Sequence, residues 1–203
     1  MDEIESKRVR LDRQRILDVA WRHFARHGFR NTSLSGIASE LGVVKGALYY
    51  YVPGGKRELF EAVLARDERR VLDAMALAVH SAPDARAGLR AMIVAKLGTL
   101  REVKDLLGLG REVAEEIVKF VRERPDGFIG RERELIEQLL EDGETAGIFR
   151  PVRPRRTAAG AIQAMLHTVT LPSVYGDPLD EDGLPTTLEP VLDLLLRGLE
   201  QRS

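Results

Sequence analysis

No cysteine occurs among the 203 residues. Disulfides, thiolate chemistry and cysteine-based zinc sites are therefore excluded, and a reducing cytoplasm suits the chain. Long apolar runs are missing as well. Nothing approaches the ~20 residues needed to span a bilayer, so no membrane partner is expected. The segment from Met1 to Arg10 is charged and lacks an apolar stretch, so it does not read as a signal peptide and a cytoplasmic location is expected. Tryptophan occurs once; Trp21 lies beside an apolar helical stripe and reads as core.

Catalytic signatures are absent too. There is no Gly-x-Gly-x-x-Gly, no Walker-type loop and no nucleophile elbow. A carboxylate-bridged metal site would need Glu-x-x-His pairs on facing helices. The residues three before His23, His27, His80 and His167 are Ala20, Phe24, Leu77 and Ala164, so no such pair exists. Glu115 and Glu116 are adjacent and point in different directions, as on a solvated face. The expectation is no catalytic residue, no metal ligand and no cofactor. An all-helical enzyme or metal-binding bundle is the lesser alternative, and an effector-independent DNA-binding protein another. The latter would not need so large an apolar C-terminal region.

Charge is nearly balanced overall, at −1, but unevenly placed. Residues 1–60 carry 11 Lys/Arg and 7 Asp/Glu, whereas the remainder carries 20 and 25. A basic head on an acidic body fits a modular nucleic-acid-binding regulator.

What is present is helical periodicity from end to end. Ile16, Ala20 and Phe24, with Leu17 and Trp21 beside them, predict a helix over about 11–27. A long helix is expected over 56–80, ended by Ala82-Pro83. Asp84 is a plausible cap for the next, and Gly108-Leu109-Gly110 should break chain direction. A helix through Val113–Val121 should end at Pro125-Asp126-Gly127, and another over 129–146 at Gly147. Residues 155–171 form a helix that Pro172 stops. Thr186 and Glu189 offer a capping box for a last helix reaching about Gln201. No period-2 pattern survives anywhere. The fold expected is all-α, with about nine helices: a helix-turn-helix head over 10–56 and a helical body over 57–203.

The run from Thr32 to Phe60 is the most specific. Ser33 is a good N-cap. Leu34, Ile37, Ala38 and Leu41 form one buried face, and Gly42 can take the left-handed conformation that closes the helix. Val43 and Leu48 anchor a second short helix, so the helix-turn-helix covers about 33–52. Lys45, Gly46, Ala47, Tyr49 and Tyr51 then face outward. Small residues permit close approach to a major groove, while hydroxyls and an ammonium reach phosphates and base edges.

These residues resemble the TetR family of bacterial transcriptional regulators. The matching elements are Ile37-Ala38, Leu41-Gly42-Val43, Lys45-Gly46-x-Leu48-Tyr49, and Lys56 followed by Glu58-Leu59-Phe60. Upstream, Ile16-Leu17-x-x-Ala20 and Phe24-x-x-x-Gly28-Phe29 match the first helix of that module. Val44 departs from the pattern, standing where the family usually has a capping Ser or Thr. Gly36 replaces the usual acid, and Pro53-Gly54-Gly55 is one residue longer than the commonest turn. The resemblance implies a ligand-responsive homodimer, most often a repressor, on near-palindromic double-stranded operator DNA. Ser33, Tyr49, Tyr51 and Lys56 would hold phosphates, with Lys45, Gly46 and Ala47 nearest the bases.

Two further expectations concern the body. The final helix carries more leucine than one face needs, and helix 155–171 is rich in small residues. Together they suggest a two-fold four-helix interface using Ala158, Ala161, Met165, Leu188, Leu192, Leu195 and Leu199. Dimerisation through the last two helices is also usual in the family. A small hydrophobic effector is expected in a pocket formed by Met92, Leu97, Phe120, Leu139, Met165 and His167.

Overall fold

The computed structural model describes residues 12–107, 111–124, 127–174 and 186–200. These residues form nine helices and no strand; their only extended pairing is an isolated antiparallel bridge between Phe149 and Glu200. The chain divides into two compact units, one up to Leu64 and the other from Ala65.

The first unit begins with α1 (Arg13–Asn31), capped by the Asp12 carboxylate, which accepts from the Gln14 N–H at 3.2 Å. Its apolar stripe buries Ile16, Leu17, Ala20, Trp21 and Phe24. The helix runs further than its periodicity suggests, crossing a kink at Gly28 to reach Asn31. Thr32 seals this end: its buried hydroxyl lies 2.8 Å from the Gly28 carbonyl and 3.0 Å from that of His23. Helices α2 (Leu34–Leu41) and α3 (Lys45–Tyr51) follow, then the first turns of α4 (Gly55–His80). Phe60 from α4 meets Phe24 edge-on at 4.8 Å and Phe29 at 5.0 Å. Burying such a side chain contributes about 1.5–3 kcal/mol, so this aromatic trio is the keystone of a small unit.

The second unit holds the rest of α4 with α5 (Ala85–Leu107), α6 (Arg111–Arg122), α7 (Phe128–Thr145), α8 (Arg155–Val174) and α9 (Leu188–Leu199). The expected cap on α5 forms, the Ala87 N–H donating to Asp84 Oδ1 at 2.8 Å. Met75, Leu89, Met92, Ile93, Leu97, Ile136, Leu139 and Phe149 make the centre of one core. Near the end of α7, Gly143 admits the Phe149 ring: a Cβ there would fall 2.1 Å from a ring carbon.

Three expectations change. Pro172 does not stop α8, which runs to Val174; this close to the end, the missing N–H and the ring clash disturb only the last turn. The Thr186–Glu189 capping box does not form. Thr187 is the cap residue and makes no side-chain cap bond, and the Glu189 carboxylate is taken by Arg90, whose Nε and Nη2 reach it at 3.0 and 2.6 Å. Finally, α9 turns Leu188, Leu192 and Leu199 into its own core. The turn at Gly108-Leu109-Gly110, the Pro125-Asp126 pair and the loop before Thr186 lie outside the described residues.

Candidate nucleic-acid interface

The α2–α3 corner is built by backbone. Ser33 Oγ accepts the Gly36 N–H at 3.1 Å, satisfying one of the unpaired donors of the first turn. The hydroxyl is exposed and keeps its own hydrogen to donate outward. Gly42 ends α2 in the left-handed region at φ 73, a conformation that costs other residues ~1 kcal/mol or more. Its N–H closes on Ser39 and that of Val43 on Ala38. The chain then enters α3 through Val44, which makes no side-chain cap bond.

Within α3 only Leu48 is buried. Lys45, Gly46, Tyr49 and Tyr51 are exposed as expected and Ala47 is half-buried. The Lys45 ammonium sits 5.9 Å above the Tyr49 ring, which holds both on one side of the helix. Sequence reasoning missed Tyr50. It is 85% exposed, the most open of the three tyrosines. The signal was available: at 100° per residue, position 50 lies about 200° from Leu48, opposite the anchor. Gly46 lies one turn earlier on the same side.

Lys56 is placed differently from its expected role. Its Nζ donates to the Arg30 carbonyl at 3.1 Å and lies 4.7 Å over the Phe29 ring. A cation there complements the C-terminal end of α1 and ties α4 to it. A second brace joins α1 to α2. Glu40 meets Arg22 Nη2 at 2.7 Å and His23 Nε2 at 2.8 Å. The Arg22 hydrogen bond, together with His23, lowers the Glu40 pKa.

In the second unit the six expected pocket residues do not surround one cavity. Met92, Leu97 and Leu139 are close-packed core, Phe120 is half-buried on α6, and Met165 faces outward from α8. His167 belongs to a buried polar cluster. Its Nε2 lies 2.6 Å from Glu132 Oε2, which also accepts from Gln163 Nε2 at 2.8 Å; Glu132 Oε1 meets Lys96 Nζ at 2.5 Å. Lys96, Glu132 and Gln163 are buried. Burial would raise the Glu132 carboxyl, but the Lys96 charge and the His167 contact outweigh it and hold the pKa at about 2. The sequence did carry a trace of this cluster: Lys96 and Glu132 fall on the buried stripes of their helices, where a charge needs a partner.

A cleft of about 420 Å³ does open in this unit, lined by Glu68, Arg69 and Leu72 of α4, Glu123 and Arg124 after α6, and Phe128 and Arg131 of α7, among others. Arg124 bridges Glu68. Burial raises the Glu68 pKa against the pull of Arg124 and Arg131. None of the expected pocket residues lines this cleft.

The exposed line of α8 is Ala161, Ala164, Met165 and Thr168, and α9 shows Leu194 at 72% exposure. Ala158 and Leu195 pack partly on their own core. Of the seven residues expected at a dimer interface, Ala161 and Met165 remain as outward candidates. Leu188, Leu192 and Leu199 are excluded by their burial in the same chain.

Residues 16–63 match the model of the family described as bacterial regulatory proteins, tetR family. That stretch covers α1, the helix-turn-helix and the anchoring turns of α4. This chain belongs to the TetR family. LmrA of Bacillus subtilis, an HTH-type transcriptional regulator, is 32% identical over 81 residues, 40% of this chain and 43% of that protein. The match thus spans less than half the length of that relative. Over the full fold, a TetR-like transcriptional regulator from Rhodococcus sp. RHA1 is similar with a TM-score of 0.61 and 29% identity, covering 93% of this chain and 100% of that one. The FadR regulator of Bacillus subtilis, solved with stearoyl-CoA, has a TM-score of 0.70 at 18% identity, with 93% and 100% covered. Among the described residues, this TetR-family chain shows no His/Cys/Asp/Glu cluster able to hold a metal ion and no helix long and apolar enough to cross a membrane.

Proposed function

We propose that this TetR-family chain is a dimeric, effector-responsive regulator that represses transcription from a near-palindromic operator. The observation that carries the reading is α3: seven residues held by one buried leucine, with a lysine, a glycine and three tyrosines turned outward. Such a surface suits a major groove, with Lys45, Gly46 and Ala47 at base edges and Ser33, Tyr49, Tyr50 and Tyr51 on phosphates. Two such helices tied by a dimer would meet half-sites roughly 34–36 Å apart. The exposed α8 line and Leu194 support an interface between two copies.

The effector would act in the second unit. The stearoyl-CoA held by the FadR neighbour supports a ligand with an apolar chain and an anionic head. Arg69, Arg124 and Arg131 around the cleft suit the head, and Leu72 and Phe128 the start of a chain. Since α4 carries both Glu68 and the turns that anchor the helix-turn-helix, it is the natural transmitter. The ligand must bind the DNA-incompetent arrangement more tightly to shift the population.

Selection of duplexes from a random library by the purified protein tests the core of this reading. A palindromic consensus bound by a dimer is the expected result. Recovery of no preferred sequence, or tight binding by a monomer, would overturn it.

A further inference from the structure

Val44 has no role in the fold that accounts for it. Its side chain is 76% exposed and makes no cap bond at the entrance to α3; only its carbonyl is used, accepting the Ala47 N–H at 2.9 Å. A serine, threonine or aspartate in its place would stabilise the helix, by an amount equal to about a 2- to 30-fold change in the folding equilibrium. A bulky apolar group is thus held in water at a position where a polar one would fold better. The next outward residue, Gly46, is also not there for packing, since a Cβ on it would meet nothing within 4 Å. Beside them Lys45 is exposed, with no acidic partner among the described residues. The patch is therefore an apolar knob, a low saddle and a cation.

We propose that Val44 is a specificity-determining residue that reads a thymine methyl group in the operator. The contact is made by the isopropyl group of Val44 and not by the helix terminus. It rests on the operator-binding reading above. The chemistry selects the occupant. Residues at the start of a recognition helix face base edges. The other contacts on the major-groove edges are hydrogen-bond donors and acceptors, apart from the small cytosine C5–H; the thymine 5-methyl is the one apolar group that projects far enough to be packed against. An isopropyl group pressed on any other edge would strip water from a donor or acceptor and return nothing. Lys45, whose ammonium balances phosphate charge or meets a guanine, holds the neighbouring contact. Gly46 lets the groove come close enough for the methyl to touch. Each half-site should thus carry a thymine whose methyl, rather than its hydrogen bonds, is what is read.

The test uses the full-length protein and the palindrome recovered by selection. Each thymine is replaced in turn by deoxyuridine, which removes the methyl and leaves base pairing intact. One position per half-site should weaken binding about fourfold, the factor equivalent to burying one methyl-sized group, and about fifteenfold when both half-sites are changed. In V44A that penalty should fall below about twofold while penalties elsewhere are unchanged, as a double-mutant cycle requires. V44S guards against a folding artefact, because it supplies the missing cap; it too should lose the methyl dependence with its melting temperature equal to or above wild type. Methyl penalties identical in wild type, V44A and V44S would overturn the assignment while leaving operator binding intact. If no palindrome is recovered at all, the functional reading fails first, and this inference falls with it.

Discussion

Replacing Glu132 with leucine strands Lys96. The lysine is 6% exposed, and among the described residues its Nζ has its charged partner in Glu132, 2.5 Å away. Removing one member of a buried pair while keeping the other costs about 3–5 kcal/mol. Against the effect of burial, Lys96 and His167 hold the Glu132 pKa at about 2, below an ordinary 4.5, so the ionised carboxylate stabilises the folded state. A lowered carboxyl pKa contributes stability that is fully present above the unfolded value and disappears as pH falls. The wild type should therefore weaken between pH 4.5 and about 2, and Glu132→Leu should lose that part of its pH dependence. The assay is urea unfolding followed by far-UV circular dichroism, because Trp21 lies in the other unit. With a slope of about 2 kcal/mol per molar, the midpoint should fall by about 1.5–2.5 M. Lys96→Met combined with Glu132→Leu should recover most of the loss, since a buried pair replaced by apolar groups is often nearly neutral. A single variant that costs under ~1 kcal/mol, or a double that costs as much as the single, would refute the account of a mutually dependent buried pair.

Lys45→Ala should relax base preference at one position per half-site, at a cost of about 1–3 kcal/mol, as expected of a side chain at a base edge. Lys56→Ala should instead destabilise the first unit by about 1 kcal/mol, through its contact with the Arg30 carbonyl, with base preference unchanged; thermal melts by Trp21 fluorescence and anisotropy titrations on operator variants separate the two. Gly143→Ala should cost about 1–3 kcal/mol by driving a Cβ into the Phe149 ring, and an unchanged urea midpoint would show that α7 and Phe149 can part freely. Ala161→Glu and Leu194→Glu should yield folded monomers in sedimentation velocity, because both side chains are exposed; dimers persisting in both would place the interface elsewhere.

Local signals were legible where one residue type had one structural job. Ser33, the four residues of the α2 stripe and Gly42 specify a capped, closed helix without help from the rest of the chain. Asp84 and Gly147 mark their helix ends for the same reason. Direction was harder. Leu188, Leu192 and Leu199 could have faced a partner or their own core, and only their place in the core of the second unit decides. Lys96 and Glu132 stand on buried stripes, which says that each needs a partner, but their pairing spans 36 positions of sequence and nothing local says which partner. Lys56 was read for its charge, while its nearest acceptor turned out to be a carbonyl at the far end of α1. Pro172 was read as a stop, but a proline in a last turn interrupts too little to be one.

The single anchor of α3 has a consequence for descent. Leu48 alone is fully buried there, so the most open positions, Lys45, Gly46 and Tyr50, carry little packing duty. Substitutions among them change what the surface touches and leave the unit's fold nearly indifferent. Gene duplicates of such a chain can drift to new operators one residue at a time, each intermediate still folded. Selection on which gene is controlled and selection on staying intact then act on different residues, and neither has to wait for the other.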